Sequence, residues 1–157
     1  SPALVDEFSC QYMKQIVDAC QDKDFLVFYH NCGNNAVLQA DDIFAIGCKG
    51  YHFGDKIRLK DIMDKAPSDV IVMGNVSPSE EFFKGTKKSI RMATYRVMHD
   101  CYDYDNFWLS SGCDVPALAD PTNIAEFFSA AEDFYKCHDM YEVLQANFDA
   151  KYFEQAK

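Results

Sequence analysis

The sequence predicts an α/β fold built from parallel βα units. Four short runs have strand character: residues 25–29, 50–53, 70–73 and 107–109. Three of these runs are almost wholly apolar, as strands covered on both faces are. Helical patterns alternate with them in the order α-βα-βα-βα-βα, and strict alternation calls for a parallel sheet with right-handed crossovers. Four such units fit an open doubly wound domain or half of a (β/α)8 barrel, whose whole needs about 250 residues. The pattern is compatible with both.

The first helix is read from Val5, Phe8, Tyr12, Ile16 and Ala19, which recur at three- or four-residue steps. The first strand, 25–29, follows, and a short helix at about 35–45 leads to the second strand. Residues 57–65 form the next helix. After the third strand, Ser77 caps a helix, Pro78 suits its first position and Glu80 completes a Ser-x-x-Glu capping box. That helix runs on through Phe83, Ile90, Ala93, Val97 and Cys101. The last begins at Asp120-Pro121 and presents Ile124, Phe127, Phe128, Ala131 and Tyr135 as one stripe. Residues 138–157 read as a helical tail with Leu144 and Phe148 four apart. The whole of 1–157 is read as a single domain, and Ser1-Pro2-Ala3 reads as the start of a piece of a longer protein.

Composition narrows the function. Apolar residues make up 48% and aromatic residues 15% of 157, so the chain can build a core and is not a low-complexity protein. A formal net charge of -10 argues against a nucleic-acid binder and against docking on an anionic membrane. No apolar run is long enough to span a bilayer or to serve as a signal peptide. Seven cysteines without a disulfide-like framework fit a reducing cytoplasm.

One constellation carries chemistry. The first strand ends in Tyr29-His30-Asn31-Cys32-Gly33, and residues two apart in an extended segment point to one side. His30 and Cys32 therefore project together from the C-terminal end of a strand, where ligands sit in parallel α/β folds. The last strand leads into Ser111-Gly112-Cys113-Asp114, placing another thiol at a C-terminal strand end. If the sheet curls, one imidazole and two thiolates meet across its mouth as a three-ligand zinc site with an open fourth position. Cys10, Cys20, Cys48, Cys101 and Cys137 read as packing thiols. His99 and His138 read as helix residues, and His52, inside a strand, stays an alternative ligand.

His30-Asn31-Cys32-Gly33-Asn34, Gly74-Asn75-Val76-Ser77-Pro78, Ser111-Gly112-Cys113-Asp114-Val115-Pro116 and Asp120-Pro121-Thr122-Asn123-Ile124 together resemble the uroporphyrinogen decarboxylase superfamily. They look most like its zinc-dependent branch, the methylcobamide:coenzyme M methyltransferases, over about residues 1–135, the C-terminal half of such a protein. The resemblance implies the last four βα units of a TIM barrel, with His30, Cys32 and Cys113 as zinc ligands. It implies Asp55 as a displaceable fourth ligand where relatives usually carry Glu; a solvated loop carboxylate is the other reading of Asp55. Asn75 is expected either to hydrogen-bond substrate or order the mouth, or to be a turn residue before the Ser77 cap. The implied reaction moves methyl from a corrinoid, free or on a corrinoid protein, to a small thiol. Coordination deprotonates a thiol whose ordinary pKa is about 8.5, and the thiolate is the nucleophile. Porphyrinogen decarboxylation is the alternative within the family; it is disfavoured because decarboxylases carry a Gly-His-Gly-type segment where Ser111-Gly112-Cys113 stands here. A non-catalytic metal- or corrinoid-binding fragment is the alternative outside enzymes. Half a barrel exposes two sheet edges, which leads to the expectation of a homodimer.

Overall fold

A computed structural model describes the backbone of residues 2–155 and the side chains of residues 2–138. Four strands form one sheet: β1 (Phe28–Asn31), β2 (Gly50–Phe53), β3 (Ile71–Val76) and β4 (Phe107–Ser111). All neighbours are parallel and the spatial order is β1-β2-β3-β4. Each strand thus lies beside the next in sequence, with no reversal of the kind that marks a doubly wound sheet. The winding is that of a barrel segment.

The helical layer comprises α1 (Pro2–Val5) and α2 (Gln11–Cys20), joined by a π-helical turn Asp6–Cys10. It continues with α3 (Ala40–Phe44) after a 3-10 turn Ala36–Gln39, then α4 (Leu59–Met63), α5 (Lys87–Cys101) and α6 (Pro121–Gln155). Tyr29, Tyr51, Phe53, Val72 and Phe107 face these helices and pack with Ala40, Ile43, Ile62 and Cys101 into the main core. Val76, Phe82, Ile90 and Phe127 form a second cluster under α5 and α6. The other sheet face is not covered among the described residues: Phe28 and Trp108 are exposed on it. The apolar strands therefore have one covered face here, not two.

Several boundaries differ from the sequence reading. The second strand is as expected, but the first begins three residues late. Gln21 Oε1 accepts from the Val27 and Lys49 N–H groups, and an Asp22 carboxylate oxygen accepts from the Asp24 and Phe25 N–H groups. Side chains thus occupy donors that a strand would have offered to its ladder. The third strand runs on to Val76 and the fourth to Ser111, so Asn75 lies inside β3 and not after it.

The helix expected from Ser77 to Cys101 is two pieces. Ser77 Oγ accepts from the Glu80 N–H, but the Glu80 carboxylate goes to Lys84, so the capping box there is half made. The first piece is π-helical, Pro78–Phe83. A Cβ on Gly85 would lie 2.3 Å from the Glu81 carbonyl oxygen, so glycine permits the close turn that follows. Thr86 then caps α5 with a reciprocal box: Thr86 Oγ1 accepts from the Ser89 N–H and Ser89 Oγ from the Thr86 N–H.

Two expected core stripes are turned outward. Phe8, Tyr12 and Ile16 are exposed while Cys10 and Val17 are buried. On α6, Phe127 and Ala130 are buried while Phe128 and Tyr135 are exposed. Leu144 and Phe148 lie outside the described side chains.

Candidate metal centre

His30 stands on the uncovered face of β1, and Cys32 follows directly after the strand ends. Cys113 comes two residues after β4. In a flat sheet β1 and β4 would be about 14 Å apart, three strand spacings. Instead, Cys113 Sγ lies 3.4 Å from His30 Nε2. The ligand atoms of His30, Cys32 and Cys113 all lie within 4.8 Å of one another. The C-terminal ends of the strands must curve inward for this contact to form.

Backbone bonds and two glycines set the curve. The Gly54 N–H donates to the Asn31 carbonyl at 3.0 Å and the Gly112 N–H to the Val76 carbonyl at 2.7 Å, lacing β2 to β1 and β4 to β3 beyond their ends. A Cβ on Gly54 would lie 2.6 Å from Cys32 Cα, and one on Gly112 would lie 2.6 Å from the Asp55 amide nitrogen. The loops after β1, β2 and β4 can stack because these positions carry no side chain. Apolar periodicity gives neither glycine a role. Their signal is a glycine placed one residue beyond a strand end.

Electrostatics favour a ligating state for His30. Although its edge is open to solvent, loss of hydration pushes its pKa down, and His52 beside it pushes the same way. A hydrogen bond to the His52 backbone and the Asp114 carboxylate act in the opposite direction. The net effect is a neutral imidazole at neutral pH, the form that binds metal. Cys32 is exposed and Cys113 half-buried, so both sulfurs can be reached. The other thiols divide differently. Cys10, Cys48 and Cys101 are buried, and burial raises the pKa of each, that of Cys101 to about 12. Cys20 and Cys137 are exposed and stand outside the group of three.

The donor set suits zinc. With zinc–sulfur bonds of about 2.3 Å and zinc–nitrogen bonds of about 2.0 Å, a tetrahedral site puts nitrogen and sulfur donors about 3.5 Å apart. The separation of His30 Nε2 and Cys113 Sγ, 3.4 Å, agrees. Two thiolates and a neutral imidazole also balance a divalent charge.

The remaining site candidates are placed otherwise. Asp55 sits at the same rim, largely buried, but its carboxylate pairs with Lys56 at 3.3 Å and is not grouped with the three donors. Asn75 is buried, and its Nδ2 donates to the Gly54 carbonyl at 3.0 Å and the Ile57 carbonyl at 2.8 Å. It binds the loop after β2 to β3. Asp55 and Asn75 also line a cavity of about 320 Å³ between the strand ends and α5, together with Arg58, Glu81 and Arg96. His99 is exposed and pairs with Asp100, and His138 lies tilted against Tyr102. His52 lies against the His30 ring, centroids 4.7 Å apart, and its Nε2 is 2.6 Å from the Ser111 carbonyl oxygen.

Comparisons with known proteins agree with this architecture. The profile of the uroporphyrinogen decarboxylase (URO-D) family matches residues 1–134. A methylcobamide:CoM methyltransferase, MtbA, from Methanosarcina acetivorans is 24% identical over 131 residues, covering 82% of this chain and 36% of its own length. A uroporphyrinogen decarboxylase from Pseudoalteromonas translucida is 27% identical over 140 residues, covering 85% of this chain and 38% of its own. The solved structure of a methyltransferase from Methanosarcina mazei superposes with a TM-score of 0.72 at 20% identity, over 86% of this chain and 38% of that one. At that identity the likeness is one of fold. The chain spans less than two fifths of the length of these relatives.

Proposed function

The chain belongs to the uroporphyrinogen decarboxylase family, and from that premise we propose that it is the metal-bearing part of a zinc-dependent methyltransferase that moves methyl from a corrinoid, free or protein-bound, to a small thiol. The observation that carries this reading is the convergence of His30, Cys32 and Cys113 within 4.8 Å at the C-terminal ends of parallel strands. Similarity to MtbA supports the choice of corrinoid and thiol as substrates.

Zinc held by these donors would supply a Lewis acid that keeps a bound thiol deprotonated near neutral pH. The chain's own residues do the rest. His30 stays neutral and offers its ring nitrogen beside Cys113. Cys32, open to solvent, leaves room for a small thiol to approach. Asn75 orders the mouth by fixing the loop that carries Asp55, and Asp55, once released from Lys56, would be the displaceable fourth ligand. The cytoplasm belongs to the same proposal: all seven cysteines are free thiols, and among the described residues no helix is long and apolar enough to cross a membrane. A homodimer belongs to it as well, because β1 and β4 each leave one edge without a strand partner among the described residues.

Metal analysis tests the central claim. One zinc per chain is expected, lost in both His30→Ala and Cys113→Ser while the circular dichroism spectrum is kept. A zinc-free protein with an intact fold would overturn it. Porphyrinogen decarboxylation is a second reading, favoured by the 27% identity to a decarboxylase. Methylcobalamin plus thiol against porphyrinogen, offered to the full-length protein because this chain spans less than two fifths of its relatives' length, separates the two.

A further inference from the structure

Two halves of the donor group come from opposite edges of the sheet, and one side chain joins them. His52 sits in β2, paired in register with His30 of β1 on one side and Met73 of β3 on the other. Its ring lies against that of His30, with centroids 4.7 Å apart. Its Nε2 reaches over β3 to the Ser111 carbonyl oxygen at the end of β4, at 2.6 Å. A carbonyl only accepts, so Nε2 carries the proton and donates. Strands two places apart are about 10 Å from each other in a flat sheet, so this bond forms only where the strand ends curl inward.

The Ser111 carbonyl is well placed to govern Cys113. Ser111 Oγ donates to the Cys113 carbonyl at 2.8 Å, and the Gly112 N–H donates to Val76 at 2.7 Å. Those two bonds fix the shape of the Ser111-Gly112-Cys113 turn and its hold on β3. Neither links the turn to β1. The His52 bond ties the turn to β2, and the same imidazole packs on His30, the donor that comes from β1. The His30 ring in turn presents Nε2 to the Cys113 sulfur, 3.4 Å away.

We infer that His52 is a positioning residue for the metal centre: by donating to the Ser111 carbonyl while packing against His30, it sets the distance between the imidazole and the Cys113 sulfur. The inference rests on the proposed zinc site for its metal readout, but its geometric content stands without metal. Groups that orient ligands from outside the coordination shell change metal affinity by about 10- to 100-fold when removed.

Three variants test it. His52→Phe keeps an aromatic ring on His30 and removes the donor. His52→Gln keeps a donor that can reach the Ser111 carbonyl and removes the ring. His52→Ala removes both. The first measurement uses metal-free protein: the rate at which oxidised glutathione drives a Cys32–Cys113 disulfide, followed by peptide mass spectrometry. The second is zinc affinity by competition with a chromogenic chelator. In both, His52→Gln, which keeps the donor and loses the ring contact, is expected to fall between the wild type and His52→Phe. His52→Phe and His52→Ala should form the disulfide more slowly and bind zinc about 10- to 100-fold more weakly. Equal behaviour of wild type and His52→Phe in the disulfide assay would overturn the inference, as would a His52→Gln variant as impaired as His52→Phe. If the wild type binds no zinc but disulfide formation still slows in His52→Phe, the positioning role stands and the zinc reading falls. Should His52→Ala fail to fold, the Phe and Gln variants carry the comparison.

Discussion

Asn75 shows how a polar residue can shape a site without belonging to its donor group. It is buried, and its amide nitrogen donates to two backbone carbonyls of the loop after β2, those of Gly54 and Ile57. Asn75→Ala would leave both carbonyls without that donor, and an unsatisfied buried group costs about 1–3 kcal/mol. We expect a loss of that size in urea unfolding. Asn75→Asp has no donor when ionised and should be at least as unstable at neutral pH, recovering partly in acid as the carboxyl regains a proton to donate. A variant as stable as the wild type would show that the loop is held by something else. Asn75 also illustrates the limit of sequence reading at this scale. Its position beside Ser77-Pro78 was legible, but its two acceptors lie 21 and 18 residues earlier, and no local pattern encodes them. The His30-x-Cys32 pair was legible because strand periodicity alone puts two such side chains on one side. Its meeting with Cys113 depended on sheet curvature, and curvature is set by Gly54, Gly112 and His52, which local periodicity does not single out.

At the scale of elements, the helices are fastened by charges as well as by apolar packing. Arg58, just before α4, donates to Asp100 in the last turn of α5 at 2.8 Å. The Arg58 guanidinium is the main reason that the Asp100 carboxyl is held below the ordinary aspartate value of 3.8, against a smaller opposing effect of burial. A carboxyl with a depressed folded-state pKa contributes stability that is complete above its unfolded value and is lost as pH falls through the folded one. Asp100→Asn should therefore be slightly less stable than the wild type at pH 7, and the gap should close as pH falls below 3.8, the ordinary aspartate value. Thermal unfolding at both pH values checks this, and a gap unchanged by acid would count against it. A second fastening joins α5 to α6: Arg91 donates to Asp133 at 2.8 Å and Ser129 at 3.2 Å, and also to Glu126, while its bond to Tyr95 at 2.9 Å stays within α5. Element type was legible along most of the chain, and element ends were not. β1 starts late because Gln21 and Asp22 occupy its donors, and the helix after β3 breaks because Thr86 and Ser89 offer a better cap than continuation past Gly85. Both are side chain–backbone bonds, which compete with regular structure at places apolar periodicity does not mark.

At the scale of the whole molecule, the described residues form a run of consecutive parallel strands with helices on one side and, among them, an uncovered face on the other. Phe28 and Trp108 on that face, and the free edges of β1 and β4, are the physical basis for the proposed homodimer. Light scattering is expected to return twice the chain mass, and a stable monomer would remove the proposal. The placement of the donors has a further effect on the energetics of the molecule. His30 and Cys113 are 83 residues apart and meet only when every intervening βα unit is in place. An ion bound there would favour the folded chain by mass action, about 2.7 kcal/mol when free zinc is 100 times the dissociation constant. Unfolding midpoints should accordingly rise with added zinc and fall with a chelator in the wild type, and stay level in Cys113→Ser. The centre then works as a clasp sewn to both ends of a garment. It can be fastened only after the cloth between has been drawn round, so retention of the ion becomes a gauge of finished folding as well as a resource for chemistry.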